Sequence, residues 1–399
     1  MVDRLIFPSP GPPSQPEDQL VGLWSIQNSS LLNVDASLPR KAAADYFQAQ
    51  EDLAKTIRWD SPTAVSWADG TGVDEKVLIR GKYAKPGAVA PRGLPEALGQ
   101  PPITTTESSG RAELARQMTD PANPLVARVM VNRIWHHLFG RGIVATVDNF
   151  GFLGERPSHP ELLDHLAWQF VHEDGWSIKR MIRRLVLSRT YAQSSHEGEA
   201  RATELDPSNI LLHRMPVQRL EGEAIRDAVL IVSGRFNPKA CGPPVPVHLT
   251  DFIIGRGRPD SGPLDGDSRR SIYTSVRRNF LPTMMLAFDF PTPFSTNGRR
   301  NITNVPAQSL VMMNDPFIRE QATVWAERLL GETPGAGKEQ RMDWLFETSL
   351  TRLPTAEEKQ LMLDSLGEIQ AVHPGEPEKI GWQEICHALL NSNDFIYLK

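Results

Sequence analysis

From residue 111 onward, apolar positions recur every three or four residues, the period of helices that bury one face. In Leu125–Phe139, Val126, Val129, Met130, Ile134 and Leu138 fall on one stripe, and Gly140 follows where a left-handed cap ends a helix. Leu162, Leu163, Leu166, Ala167, Phe170 and Val171 mark a second helix, opened by Ser158-His159-Pro160-Glu161, which reads as a capping box. Ser177 caps a third helix, with Trp176 and Met181 spaced as a hydrophobic staple and Ile178, Ile182, Leu185 and Val186 on its buried face. Further helices are predicted over Gln218–Val232, Pro306–Leu330, Glu339–Leu350, Ala356–Ile369 and Glu378–Leu390. Thr355-Ala356-Glu357-Glu358 forms a second capping box. Strict alternation is confined to Ser271–Val276, a short strand. The fold class is therefore mainly α: a multi-helix globular domain with a long Gly/Pro-rich excursion and a small β element.

Proline punctuates this pattern, with 33 residues in 399 against a usual share of about 5%. The prolines gather near residues 8–16, 86–102, 238–263 and 282–316, and so mark loops rather than helix interiors. Phe7–Pro16 reads as a linker, Leu38–Ile57 as a polar helix and Trp59–Val73 as short strands and turns. The expected organisation is an N-terminal remnant or partial upstream domain over 1–75, an extended Pro-rich linker over 76–110 and the helical domain over 111–399. Within the last, Arg141–Pro157 is a loop of unusual length for a compact domain, which favours a special role or a well-packed excursion, and Pro238–Asp267 is a long Gly/Pro-rich excursion.

Composition narrows the function classes. Apolar residues make up 40% and charged residues 23%, ordinary for a globular chain. The formal charge of −5 argues against a general nucleic-acid binder. No apolar run reaches the roughly 18 residues of a membrane span. Leu5–Phe7 ahead of Pro8 is too short for a signal-peptide core, so the chain as written reads as cytoplasmic. Cys241 and Cys386 lie in no CxxC or CxxCH arrangement, which leaves covalent haem and a cysteine-rich zinc site unsupported. No cofactor is expected. The two thiols read as free, with a disulfide between them as the alternative.

Several blocks carry a family resemblance. They include Asn123-Pro124-Leu125-Val126-Ala127-Arg128-Val129-Met130-Val131-Asn132-Arg133-Ile134-Trp135, Leu138-Phe139-Gly140-Arg141-Gly142 and Asp148-Asn149-Phe150-Gly151. Gly175-Trp176-Ser177-Ile178-Lys179, Arg270-Ser271-Ile272-Tyr273 and Asn301-Ile302-Thr303-Asn304-Val305-Pro306-Ala307-Gln308 continue the series, which ends at Ala388–Phe395. Over residues 76–399 the chain resembles the planctomycete PSD-one domain. That resemblance implies a helical module without assigned activity, in exported or periplasmic proteins with cytochrome-c-like domains upstream. It supplies no catalytic residues. This sequence departs from the plan in having no haem motif.

Two constellations remain. Arg133 and His137 fall within the apolar stripe of Leu125–Phe139, so a buried Arg133 needs a carboxylate, with Asp148, Glu161 and Glu221 as candidates. This reads as a buried network locking the 141–157 loop. The alternative is the lining of a carbohydrate-active site built from Arg133, His137, Asp148 and His159. A metal at His136, His137, His159 and Asp148 is disfavoured, because adjacent histidines on a helix point about 100° apart. The second constellation is Arg269-Arg270, Arg277-Arg278 and Arg299-Arg300, six arginines against the single acid Asp289. Guanidinium forks suit carboxylates, sulfates and phosphates, while the plainer reading has half of them bonding loop carbonyls. Lys179, Arg180, Arg183 and Arg184 read as a solvated helix face. The expected function is a non-catalytic binding module for an anionic polysaccharide or a protein partner such as a cytochrome-c-like domain.

Overall fold

The computed structural model describes residues 69–399 other than 106, 197, 199 and 295, with a few positions between 45 and 56. Those few are helical and exposed, as the polar pattern of Leu38–Ile57 predicts. Phe7–Pro16 and most of Trp59–Val73 lie outside the described residues. Two antiparallel ribbons are present: β1 (Glu75–Leu78) with β2 (Pro86–Ala90), and β3 (Gln218–Arg219) with β4 (Tyr397–Leu398). Between β2 and the first helix the chain has no strand ladder, and Arg92 knits it together. Its guanidinium pairs with Asp74 and donates to the carbonyls of Thr105, Ser108 and Ser109.

The rest of the regular structure is helical. The first group is α1 (Arg111–Met118), α2 (Val126–Phe139), α3 (Pro160–His172), α4 (Ile178–Val186) and α5 (Ala200–Leu205). The second is α6 (Gly222–Ser233), α7 (Thr283–Ala287), α8 (Pro306–Asn314), α9 (Pro316–Glu332), α10 (Lys338–Leu350), α11 (Ala356–Val372), α12 (Pro377–Leu390) and α13 (Asn393–Ile396). A mainly α fold is what the apolar period predicts.

Two helical cores result. One joins α2, α3 and α4 around Val131, Phe139, Phe170 and Met181. The larger joins α6 with α7–α13 around Trp325, Trp382, Met312 and Leu329. Trp325 and Trp382 are fully buried, the kind of side chain whose truncation to alanine costs about 3–5 kcal/mol. A small satellite of Val247, Leu249 and Phe280 organises the Gly/Pro-rich excursion.

The caps follow the local chemistry in most places. Gly140 takes φ of 76° and donates to His136 O, closing α2. Ser177 Oγ accepts from Arg180 N, and Thr355 with Glu358 forms a reciprocal capping box. Ser158 does not cap α3. His159 is the boundary residue, while Ser158 Oγ is spent on Ile143 O (3.2 Å) and His159 Nδ1 (2.9 Å).

Other boundaries also shift. Pro316 divides Pro306–Leu330 into α8 and α9, and Asp315 accepts from Phe317 N at the break. Gln218 and Arg219 leave the predicted helix to pair with the C-terminal strand, and Leu220 N donates to Ile396 O. The alternation at Ser271–Val276 forms a 3₁₀ turn and one bridge, Val245 to Thr274, instead of a strand. In α4, Met181 and Leu185 are buried whereas Ile178 and Ile182 are exposed.

The largest correction concerns α2. Its buried face is Ala127, Val131, Asn132, Ile134, Trp135 and Phe139, about one residue round from the predicted stripe. Arg133 and His137 are therefore exposed. Apolar residues cover most of the α2 circumference, and the bulk of Trp135 and Phe139 decides which side turns inward. The buried polar group is Asn132, at 0% exposure. Its Nδ2 donates to Val144 O (3.0 Å) and its Oδ1 accepts from Val144 N (2.8 Å). Gly142 allows this approach, since a Cβ there would meet Val144 O at 2.5 Å and Asn132 Nδ2 at 2.8 Å. The 141–157 loop is thus locked, but by a neutral amide.

Replacing Asn132 with alanine strands both backbone groups of Val144, and should cost about 2–3 kcal/mol. Arg133→Ala should stay within about 0.5 kcal/mol. Urea unfolding of the two variants measures the contrast, and equal losses would refute this assignment.

Candidate functional site

One carboxylate brings distant segments together at the end of α2. Asp148, in the locked loop, accepts from Gly298 N at 2.9 Å. Gly298 is needed for that approach, because a Cβ would lie 1.6 Å from Asp148 Oδ1. Arg133 Nη2 stands 3.9 Å from the same carboxylate, a loose surface pair. Pinning the 296–300 segment here sets Arg299 within electrostatic reach of His136. Burial first, then the charges of His137 and Arg299, hold the His136 imidazole below its ordinary range, with Asp148 opposing. His159 stays apart at the start of α3, bonded to Ser158.

The six arginines of 269–300 divide by role. Arg269 is buried and donates to Pro243 O, Cys241 O and Lys239 O, with Tyr273 packed 4.0 Å below its plane. Arg300 grips Glu223 through two bonds of 2.7 and 2.8 Å, approaches Glu221 at 3.4 Å and lies over Phe290. Arg270 leans on Asp227 at 3.5 Å. Arg277, Arg278 and Arg299 are exposed and make no ion pair among the described residues. Arg278 alone has an aromatic neighbour, the exposed Phe294, at 5.8 Å.

Two clefts flank the start of α6. The first, of about 460 Å³, is lined by Glu221, Glu223, Asp227, Arg270, Val276 and Phe290 among others. The second, of about 330 Å³, is lined by His136, His137, Gln218, Arg219 and Asn301. Both include Glu221, Ala224 and Arg300, so the two clefts adjoin at these residues. Gly222, at the start of α6, packs so closely that a Cβ would sit 3.2 Å from Phe288 and 3.3 Å from Met285 Cα. Asp227 is fixed by Ser271 N and Ser271 Oγ, both at 2.7 Å.

Sequence reasoning missed two arginines that build this region. Arg219 is buried, held by Asp289 at 2.7 Å over the Phe288 ring. Asp289 also accepts from Thr303 N and Oγ1, which anchors the far end of the 290–303 segment. Arg226, on the buried face of α6, donates to Arg269 O, Ser271 Oγ and Asp265 O. Arg226 was legible as a cation between Ile225 and Val229 on an apolar stripe; Arg219 gave no such signal.

The histidines and Asp148 do not assemble a metal site, and among the described residues no group of three or more His, Cys, Asp or Glu is placed to hold an ion. Cys241 is exposed, Cys386 is buried, and both are free. Among the described residues no helix is long and apolar enough to cross a membrane.

Because the folded state holds His136 below the ordinary value of 6.5, the unfolded chain binds this proton first as pH falls. The residue therefore costs stability below that value. His136→Gln should flatten the fall of the thermal midpoint between about pH 7 and pH 5, and an unchanged slope would exclude this role.

No curated protein and no solved structure matches the chain. A family model described as PSD1, protein of unknown function (DUF1553), matches residues 110–366, which is more than half of the sequence. The match runs from the start of α1 into α11 and includes every residue lining the two clefts apart from Leu398. The chain belongs to the PSD1 (DUF1553) family of proteins of unknown function.

Proposed function

We propose that this protein is a non-catalytic binding module for an anionic polymer. The observation that carries the reading is the division of labour among the 269–300 arginines. Arg269 and Arg300 are consumed by carbonyls and carboxylates of the fold. Arg277 and Arg278 sit exposed on a turn closed by Phe280 N to Arg277 O, with no acid within ion-pair distance among the described residues. Exposed Val276 precedes Arg277 in sequence, and the exposed Phe294 ring lies 5.8 Å from Arg278.

Unpaired guanidinium groups on a chain of net charge −5 are a local anion-binding feature, since planar forks match carboxylate and sulfate oxygens. An enzyme acting on carbohydrate through Arg133, His137, Asp148 and His159 has weaker support. Asp148 is tied to Gly298 N, Arg133 is solvated, and His159 bonds Ser158.

The test is binding of the full chain to sulfated and uronic glycans across a salt series. Affinity should fall with ionic strength. The Arg277→Ala, Arg278→Ala double variant should bind at least about tenfold more weakly with its thermal midpoint unchanged. Binding that is equally tight in the variant would rule the reading out.

A further inference from the structure

Asn297 and Gly298 form the one Asn-Gly pair in the sequence. Asn297 is exposed, and Gly298 is the residue that Asp148 pins, its N donating to Asp148 Oδ2 at 2.9 Å. We propose that Asn297 is a modification site, where the side-chain amide becomes a carboxylate through attack by Gly298 N, and that Asp148 restrains the conversion by holding that nitrogen. This chemistry is independent of the anion-binding reading.

The step needs only the chain and water. Gly298 N gives up its proton and bonds to Asn297 Cγ, closing a succinimide ring. The Cγ–Nδ2 bond breaks, and Nδ2 takes up a proton and leaves as ammonia. Water then opens the ring. Addition at Cγ gives an ordinary aspartate, while addition at the main-chain carbonyl carbon of 297 gives an isoaspartyl linkage that runs through the side chain. Nothing is oxidised or reduced. Glycine favours the attack because no Cβ crowds its nitrogen and its backbone turns freely. The fold also requires glycine here, since a Cβ at 298 would lie 1.6 Å from Asp148 Oδ1. The labile pair is therefore built into the pin.

Asp148 opposes the reaction in two ways. Attack requires Gly298 N to meet Cγ in a near-attack geometry, whereas its N–H is fixed on the carboxylate. The nitrogen must also lose its proton, and a negative charge beside it disfavours the anion that results. Arg299 follows the pair in the folded and the unfolded chain alike, so it does not separate the two states.

Conversion acts back on the pin. A carboxylate at 297 stands next to the residue that Asp148 holds, and like charges repel. The isoaspartyl linkage also lengthens the main chain there. Either product loosens the 296–300 segment and releases Arg299, whose charge helps to hold the His136 imidazole down.

The full chain is incubated in mildly alkaline buffer, folded and in urea, and its peptides are followed by mass spectrometry for conversion of amide to acid. In urea Asn297 should convert faster than any other asparagine, and in the folded protein several-fold more slowly than in urea. Asp148→Ala should convert several-fold faster than the folded wild type, and at the wild-type rate in urea. Asp148→Asn keeps a carbonyl at that position without the charge; it should also convert faster, and it serves if the alanine variant does not fold. Arg133→Ala, which loses only the loose pair with Asp148, should match the wild type. By NMR, His136 should titrate at higher pH in converted protein than in fresh protein. No conversion of Asn297 in urea removes the site. A folded wild type as fast as the unfolded chain, or Asp148 variants no faster than wild type, removes the restraint. An unmoved His136 titration overturns the loosening.

Discussion

A guanidinium removed from water needs acceptors on every side it presents, and Arg226 lies on the buried face of α6 among Ile225, Val229 and Leu230. Its acceptors come from the Gly/Pro-rich excursion, through Asp265 O, Arg269 O and Ser271 Oγ. The Phe317 ring lies 5.4 Å from it. A segment with almost no ladder hydrogen bonds is thereby given a fixed course. Once residues 265–271 are drawn onto α6, Asp227 can take both Ser271 donors, and Arg269 is turned back to satisfy the carbonyls of 239, 241 and 243. Gly266 belongs to the same arrangement: it has φ of 58°, and a Cβ there would meet Arg226 Nη2 at 2.4 Å.

The two clefts beside α6 are walled by segments held through similar contacts. Residues 270–276, held by Asp227 through Ser271, wall the first, and the 290–303 segment lends Phe290 and Arg300 to the first and Arg300, Asn301 and Ile302 to the second. That segment is tied at one end by Arg219 through Asp289 and Thr303, and at the other by Asp148 on Gly298. Arg300 crosses between the walls to Glu223. Four arginines, 219, 226, 269 and 300, therefore serve the architecture. Arg277, Arg278 and Arg299 are exposed and make no ion pair among the described residues, while the exposed Arg270 leans on Asp227. Arginine suits the architectural task because its planar fork satisfies several carbonyls or one carboxylate without changing protonation.

The helices were largely legible in the sequence. Gly140 ends α2, Ser177 opens α4 and the Thr355–Glu358 box opens α11 because each is a local bargain between a side chain and the backbone within four residues. Local chemistry failed where a distant partner outbid the near one. Ser158 gave its hydroxyl to Ile143 across the loop, and Gln218 and Arg219 left a predicted helix for the C-terminal strand. On α2 the period was right and its phase was not, so Asn132 took the buried role that had been expected of Arg133.

What the sequence determined by itself is the helical class, most helix ends and the clustering of arginines between 269 and 300, since all of these depend on residues near one another in the chain. Which arginines are spent on the fold and which stay free was decided by tertiary structure alone. That choice depends on whether a carbonyl or carboxylate many residues away reaches the guanidinium, as Glu223 reaches Arg300 across 77 positions. No pattern of spacing along the chain encodes such a meeting; it exists only where the folded chain brings the 290–303 segment against α6.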